Sequence, residues 1–290
     1  MDNPRVSIML PTYNRGELLD RCIRSVLAQD FTDWELIILD DCSSDNTYII
    51  CKKFEEDHDN IAYHRNKIRK GLPENRNTGI AISNGDLVLF IEDDLLLDKN
   101  CLKKLVETYD KLKEGEKVGG IAPRLIDGKL KQSKRKQSDP CIFNKFTGMM
   151  YDNYSTNLDS VKEVLTMHAC SLYKKDALKE VGGYAETAYK GNYKREESDL
   201  NFRLRKVGYK LYFQSDAKTI HSKVNSGGCR VDSKRIDAYY TVRNHIIFTV
   251  RIFGIKSLYM IPLFLLDFAY KTLKYIFVIA VLEKVKKENK

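Results

Sequence analysis

"GDLVLFIEDDLLLD", residues 85–98, joins an apolar run to three consecutive acids. Residues 85–92 read as a buried strand. Glu92, Asp93 and Asp94 stand at its carboxyl end. Acids packed there repel one another and are costly unless something neutralises them. A divalent cation does so and grips a diphosphate at the same time. In that arrangement Asp94 binds the metal, and Asp93 or Glu92 reaches a ribose hydroxyl or a metal-bound water. Taken alone, the triplet also suits a solvated turn, because acid clusters are common where loops begin.

The flanking sequence places this strand in a series. "RVSIML" (5–10), "WELIILD" (34–40) and "IAYHR" (61–65) are three more short apolar strands. "GELLDRCIRSVLAQ" (16–29) puts Leu18, Leu19, Cys22, Ile23, Val26 and Leu27 on one helical face. Asp45 is placed to cap a helix over 46–56. Pro73 sits in the first turn of a helix over 72–83. A fourth helix is expected over 99–112. Strand and helix alternate every 25–30 residues or roughly so, which predicts a parallel sheet wrapped by helices. Ligands in such sheets lie beyond the carboxyl ends of the strands. Thr12, Asp40, Asp41 and residues 92–94 therefore share one rim.

The second half has a different pattern. "PRLIDGKLKQ" (123–132) reads as a hairpin turning at Asp127-Gly128, and "SKRKQ" (133–137) as a basic loop. Residues 168–184 predict a strand and a helix ending at Gly182-Gly183. Residues 197–213 predict a helix closed by Gly208 and then a strand. From 231 onward the chain is helical and apolar. Its uncharged runs, 257–266 and 275–282, are shorter than the roughly 18 residues a spanning helix needs. Lys256, Asp267, Lys271 and Lys274 share one side of a helix, and Pro262 is expected to kink or split it. Residues 231–290 hold eleven Lys/Arg against five Asp/Glu, a net +6, which suits an anionic membrane interface as well as a second subunit.

Composition narrows the function classes. The 290 residues carry a net charge of +9, which favours an anionic partner. A nucleic-acid binder is disfavoured, because rim acids without a metal repel phosphate. The seven cysteines include no CxxC pair. With no signal peptide ahead of Val6, a reduced, cytoplasmic chain is expected. "PTYNRGE" (11–17) follows the first strand where a dinucleotide-binding fold needs GxGxxG. A nucleotidyltransferase would place a glycine-rich loop with a basic residue there.

Three blocks in this order resemble glycosyltransferase family 2, inverting enzymes of the GT-A fold: "VSIMLPTYNRGELLDRCIRSVLAQDFTDWELIILDDCSSDNT" (6–47), "NRNTGIAISNGDLVLFIEDD" (75–94), and "GGY" (182–184) with "EESDLNFRLRKVGY" (196–209). The resemblance spans residues 5 to about 225. It implies an α/β GT-A fold, a mostly parallel central sheet flanked by helices, with a C-terminal helical extension. Residues 1–115 would form the nucleotide-sugar half, 116–230 the acceptor half, and 231–290 a membrane or oligomer contact.

The resemblance also implies roles. Pro11, Thr12, Asn14 and Arg15 would line the nucleotide pocket. Asp41 would accept the N3–H of uracil or thymine, favouring a UDP or dTDP donor. Arg76 would lie near the base and phosphates, Asp93 on the ribose. Asp94, Glu92 and His221 would hold Mn2+ or Mg2+, with Glu92 where the family usually has Asp. Glu197, also in place of Asp, would be the base that deprotonates an acceptor hydroxyl on a glycan or lipid-linked saccharide, with Asp199 in reserve. His168 would touch substrate, and the basic stretch 129–136 a phosphorylated acceptor or lipid head groups. The implied setting is cytoplasmic, with peripheral membrane contact or a homo-oligomer through 231–290. The alternatives are a catalytically weak nucleotide-sugar binder and a nucleotidyltransferase of similar architecture.

Overall fold

A computed structural model describes residues 3–127, 139–221 and 233–288, with side chains up to 274. The first strand, β1 (Val6–Thr12), is buried along its whole length, as expected of a strand covered on both faces. It pairs in parallel with β2 (Trp34–Asp40) and β4 (Leu87–Phe90), and β2 pairs in parallel with β3 (Ile61–Arg65). Alternate residues of β1 face opposite layers. Ile8 and Leu10 pack under α1 (Gly16–Leu27), α2 (Thr47–Asp57) and α4 (Cys101–Lys113). Met9 faces the layer of α3 (Leu72–Ile82), α5 (Lys175–Glu180) and α6 (Glu196–Lys206). Helix α1 buries Leu19, Cys22, Ile23 and Val26, the i, i+3, i+4, i+7 stripe of an amphipathic helix.

Among the described residues the sheet has nine strands, ordered β3-β2-β1-β4-β10-β6-β11-β5 with β9 beside β11. The later strands are β5 (Leu95–Leu97), β6 (Val118–Asp127), β9 (Lys162–Val164), β10 (Leu172–Lys174) and β11 (Lys210–His221). β10 is antiparallel to both β4 and β6, so strands from the two halves of the chain interleave. β7 (Cys141–Phe143) and β8 (Met150–Asp152) form a separate ribbon. The sheet is mixed and mostly parallel, with helices on both faces, as the GT-A resemblance implied.

Several local expectations are corrected. Residues 123–127, expected as the first arm of a hairpin, are the end of β6 and pair in parallel with β11. The rest of that expected hairpin and the basic loop lie outside the described residues. β5, too short to stand out in the sequence, follows directly after the acids and pairs antiparallel with the end of β11. Asp45 stands one residue ahead of the N-cap Asn46, accepting from the Thr47 amide and hydroxyl and from the Gly16 amide. Both helical turns at the rim are thus tied to one carboxylate.

The C-terminal segment forms α7 (Lys234–Phe253), a short 3-10 turn and α8 (Ser257–Glu288). The break falls at Gly254, whose φ of 54° suits glycine, and α8 runs through Pro262. Asn244, His245, Phe248 and Ile252 of α7 are buried, with Phe248 against Phe202 of α6. Met260 and Phe264 seat α8, the latter with its ring 3.9 Å from His245. The outer side of α8 exposes Leu258, Leu266, Tyr270 and Leu273. Contrary to the reading from uncharged runs, the helical stretch Lys234–Lys274 is long and apolar enough to cross a membrane by length and composition.

Candidate active site

A cleft of about 500 Å³ opens at the carboxyl ends of β1, β2 and β4. Sheet register assembles its acidic corner. The chain leaves β4 at Phe90, crosses the rim through Glu92, Asp93 and Asp94, and enters β5 at Leu95. Leu95 is paired with His221, the last residue of β11. That pairing sets His221 Nε2 3.6 Å from Asp94 Oδ1. One ligand atom each from Glu92, Asp94 and His221 lie within 4.8 Å of one another. Two carboxylates and an imidazole nitrogen suit a divalent cation such as Mn2+.

Asp93 is held differently. Its Oδ2 accepts from Thr12 Oγ1 at 2.9 Å, and its Oδ1 lies 2.6 Å from Arg15 Nη1. Arg15 also stands 3.4 Å from Asp94. The rim acids are thus countered in part by a guanidinium. Glu92 is partly exposed but deep in the cleft. Loss of solvent, opposed by Arg76 and reinforced by Asp94, Glu197 and Asp93, pushes its carboxyl up to about 7.

At the other end of the cleft, Asp41 lies beside Tyr13, over whose ring the Arg69 guanidinium sits at 4.0 Å. The Asp41 carboxylate accepts from the amides of Lys70 and Gly71 and from Asn66 Nδ2. It therefore shapes the 66–71 turn, and three of its roughly four acceptor positions are filled. Gly71 has φ 90°, and a Cβ there would meet the Tyr193 hydroxyl at 2.3 Å, so the turn needs glycine. Asn14 does not line the cleft; its Oδ1 accepts the Ser44 amide and fixes the left-handed turn after β1.

Arg76, expected near the base and phosphates, does not line the cleft. It is fully buried beneath the cleft, with Nη1 2.6 Å from Glu196 and 3.4 Å from Glu197, and Nη2 3.8 Å from Glu92. Its guanidinium lies against the rings of Tyr184 and Phe90. Burial would lower its pKa, but Glu196, with Tyr184, Glu197 and Glu92 behind it, raises it well above the arginine value. Glu196 is itself buried, and desolvation, opposed by Arg76, raises its pKa. Positive φ angles at Tyr193 and Arg195 turn the chain into α6, so that both Glu196 and Glu197 line the cleft, Glu196 buried in its floor and Glu197 partly exposed.

Asp199, the reserve base, does not line the cleft. It is buried one turn into α6 and accepts from Arg203, Arg251 and Tyr189. Burial alone would raise its pKa, but Arg251, Arg203 and Tyr189 bring it below the usual carboxylate range. It ties α6 to α7. His168 is likewise structural: its Nε2 bonds the Pro123 carbonyl, its ring packs on Tyr154, and burial pushes its pKa down to about 4.

The cleft also contains residues that no sequence motif marked. Asn192 Nδ2 donates to Asp237 Oδ1 at 2.8 Å, and Lys194 Nζ lies 3.2 Å from Asp237 Oδ2. All three line the cleft, although Asp237 comes from α7. Only its place three residues past the start of that helix, near the positive end of the dipole, could have hinted at it.

The sequence model of glycosyl transferase family 2 matches residues 7–182. A Campylobacter jejuni relative, GalNAc(5)-diNAcBac-PP-undecaprenol beta-1,3-glucosyltransferase, is 31% identical over 166 residues, which are 53% of this chain and 53% of the relative. The chain therefore spans about half the length of that relative. Among solved structures, S. aureus TarS in complex with UDP-GlcNAc aligns with TM-score 0.63 at 17% identity, covering 90% of this chain and 71% of TarS. The mannosyltransferase PcManGT from Pyrobaculum calidifontis, in complex with GDP-Man and Mn2+, aligns with TM-score 0.60 at 18% identity, covering 86% and 65% of the two chains. At these identities the structural matches speak for the fold.

Proposed function

The chain belongs to glycosyltransferase family 2, and we propose that it transfers a sugar, with inversion, from a UDP- or dTDP-sugar to a hydroxyl of a lipid-linked saccharide. The observation that carries the reading is the placement of Glu92, Asp94 and His221 at one side of a cleft whose other wall holds Glu197. Glu92, Asp94 and His221 would hold the cation, and the imidazole nitrogen would favour Mn2+ over Mg2+. A cation bound there offsets the charge that builds on the departing diphosphate.

The protein's own groups do the rest. Arg15, already beside Asp93 and Asp94, supplies a further positive charge toward the diphosphate. Asp93, held by Thr12, presents acceptor oxygens to the ribose hydroxyls. Tyr13 and Arg69 flank the base, and the remaining acceptor position of Asp41 takes its N3–H. Glu197 removes the acceptor proton as the hydroxyl attacks the anomeric carbon opposite the leaving group. Arg76 holds Glu197 from behind and keeps its charge tolerable beside Glu92. A lipid-linked acceptor is supported by the name of the Campylobacter jejuni relative. The exposed apolar side of α8, with Lys271 and Lys274 exposed on it, suits peripheral attachment at a cytoplasmic membrane face.

The test is a thermal-shift and hydrolysis screen of UDP-, dTDP- and GDP-sugars with Mn2+. A pyrimidine nucleotide-sugar should stabilise the protein and be slowly hydrolysed only with the metal. Stabilisation by none of them, or metal-independent binding that Asp94→Ala leaves intact, overturns the reading.

A further inference from the structure

A second concavity, of about 540 Å³, lies between α7 and α8. Its walls are apolar: Ala238, Tyr239, Val242, Ile246 and Ile247 from α7, and Phe268 from α8. Ala238, Val242 and Ile246 stand four residues apart and form one stripe. Arg243 is its charged member, and that guanidinium is turned away to the Ala188 carbonyl and Asn244 Oδ1. Tyr239 is 63% exposed. Water therefore wets a groove of hydrocarbon walls, an arrangement that marks a site for an apolar ligand.

The groove begins at the end of α7 that borders the active cleft. Asp237 lines the cleft and Ala238, the next residue, lines the groove. Along α7 the groove extends from Ala238 to Ile247, about 14 Å at the helical rise. The junction is basic. Lys194 lines the cleft there, and Lys234 and Arg235 are exposed on the first turn of α7. From the cleft outward the chemistry runs from carboxylate base, to cations, to hydrocarbon. A sugar joined through diphosphate to a hydrocarbon chain has the same order.

We propose that this groove seats the isoprenoid chain of a polyprenyl-diphosphate-linked acceptor whose sugar end reaches Glu197. The inference rests on the lipid-linked reading above and assigns that substrate its place. Lys194, Lys234 and Arg235 face its diphosphate, and the stripe on α7 packs along its first isoprene units.

The experiment uses the full chain in detergent, a long-chain polyprenyl diphosphate bearing a diazirine on its isoprenoid chain, and a phosphatidylglycerol bearing the same group. The polyprenyl probe should label α7 and α8 peptides within 234–274, and unlabelled polyprenyl diphosphate should compete. Val242→Asp, which places a charge in the groove, should cut labelling by about tenfold or more. Ala238→Trp, which fills the groove without a charge, should do the same. Both variants should keep the donor-induced thermal shift, which shows that they fold. Equal labelling by the phosphatidylglycerol probe would make the groove a general bilayer contact and overturn the proposal. So would a concentration-dependent dimer abolished by Val242→Asp, since a second copy would then be the occupant. Donor binding without polyprenyl labelling overturns this inference alone; absence of donor binding overturns the earlier reading.

Discussion

Replacing Arg76 by methionine keeps most of the side-chain volume and removes the charge under the cleft. Three carboxylates lose their common cation: Glu196 at 2.6 Å, Glu197 at 3.4 Å and Glu92 at 3.8 Å. At an effective dielectric of about 20, unit charges about 4 Å apart attract by about 4 kcal/mol. Desolvation of the guanidinium offsets much of that sum, and breaking a buried pair from one side costs roughly 3–5 kcal/mol. The expected loss near neutral pH is therefore about 3–5 kcal/mol of unfolding free energy. The sign with pH follows from Glu196. Its folded pKa is already raised by burial and rises further without Arg76. The folded variant then holds a proton that the unfolded chain releases above about pH 4.3. Protonated folding means that stability declines as pH rises, so the deficit should shrink from about pH 8 to about pH 5. Glu196→Gln in the Arg76→Met background should restore a large share, giving a coupling of roughly 2–3 kcal/mol. Urea unfolding of the metal-free protein at the two pH values measures all of this. A deficit under about 1 kcal/mol, the scale of an exposed ion pair, would refute the reasoning, as would a deficit that grows in acid.

Glu197→Gln should lower transfer by about 10²–10⁴-fold while leaving the donor-induced thermal shift in place, read by steady-state turnover beside melting curves. Asp94→Ala should abolish the thermal shift produced by Mn2+ alone; an unchanged shift would place the ion elsewhere. Asp199→Asn should keep turnover within a few-fold of the parent by order of magnitude, because the side chain is outside the cleft, yet cost roughly 2 kcal/mol, discounted for the partly exposed Arg251. The folded pKa of Asp199 is depressed, so its contribution is present above the unfolded value of about 3.9 and fades as pH falls through the folded one. Acid-unfolding curves of parent and variant should therefore converge at low pH.

The first four strands and their helices were readable because their signals are local and agree with one another. Buried parallel strands are continuous apolar runs, and the helix between the first two carries a clear stripe at Leu19, Cys22, Ile23 and Val26. The acids announced themselves because charge at the end of such a run has few physical uses. Arg76 was harder. In sequence it is a cation among polar neighbours, and only the tertiary approach of α6 makes it a buried counter-ion. The same helix keeps Asp199 out of the cleft, since it stands two residues from Glu197, about 200° around α6. The Asp127-Gly128 reading missed a distant partner. Its turn signal is strictly local, whereas Leu125 to Asp127 are claimed by a long-range pairing with β11. Asn192, Lys194 and Asp237 carry no pattern, because they meet through loops and the start of a helix.

The three residues of β10 have a consequence for biosynthesis. Leu172–Lys174 fill the gap between β4 and β6, and they leave the ribosome after both. Until then each of those strands keeps an unpaired margin able to recruit another chain. The margins that face β10 stay open until residue 174 has emerged, and the other margin of β6 until β11 follows, so the nascent polypeptide must be sheltered over that interval by its own collapse or by a chaperone.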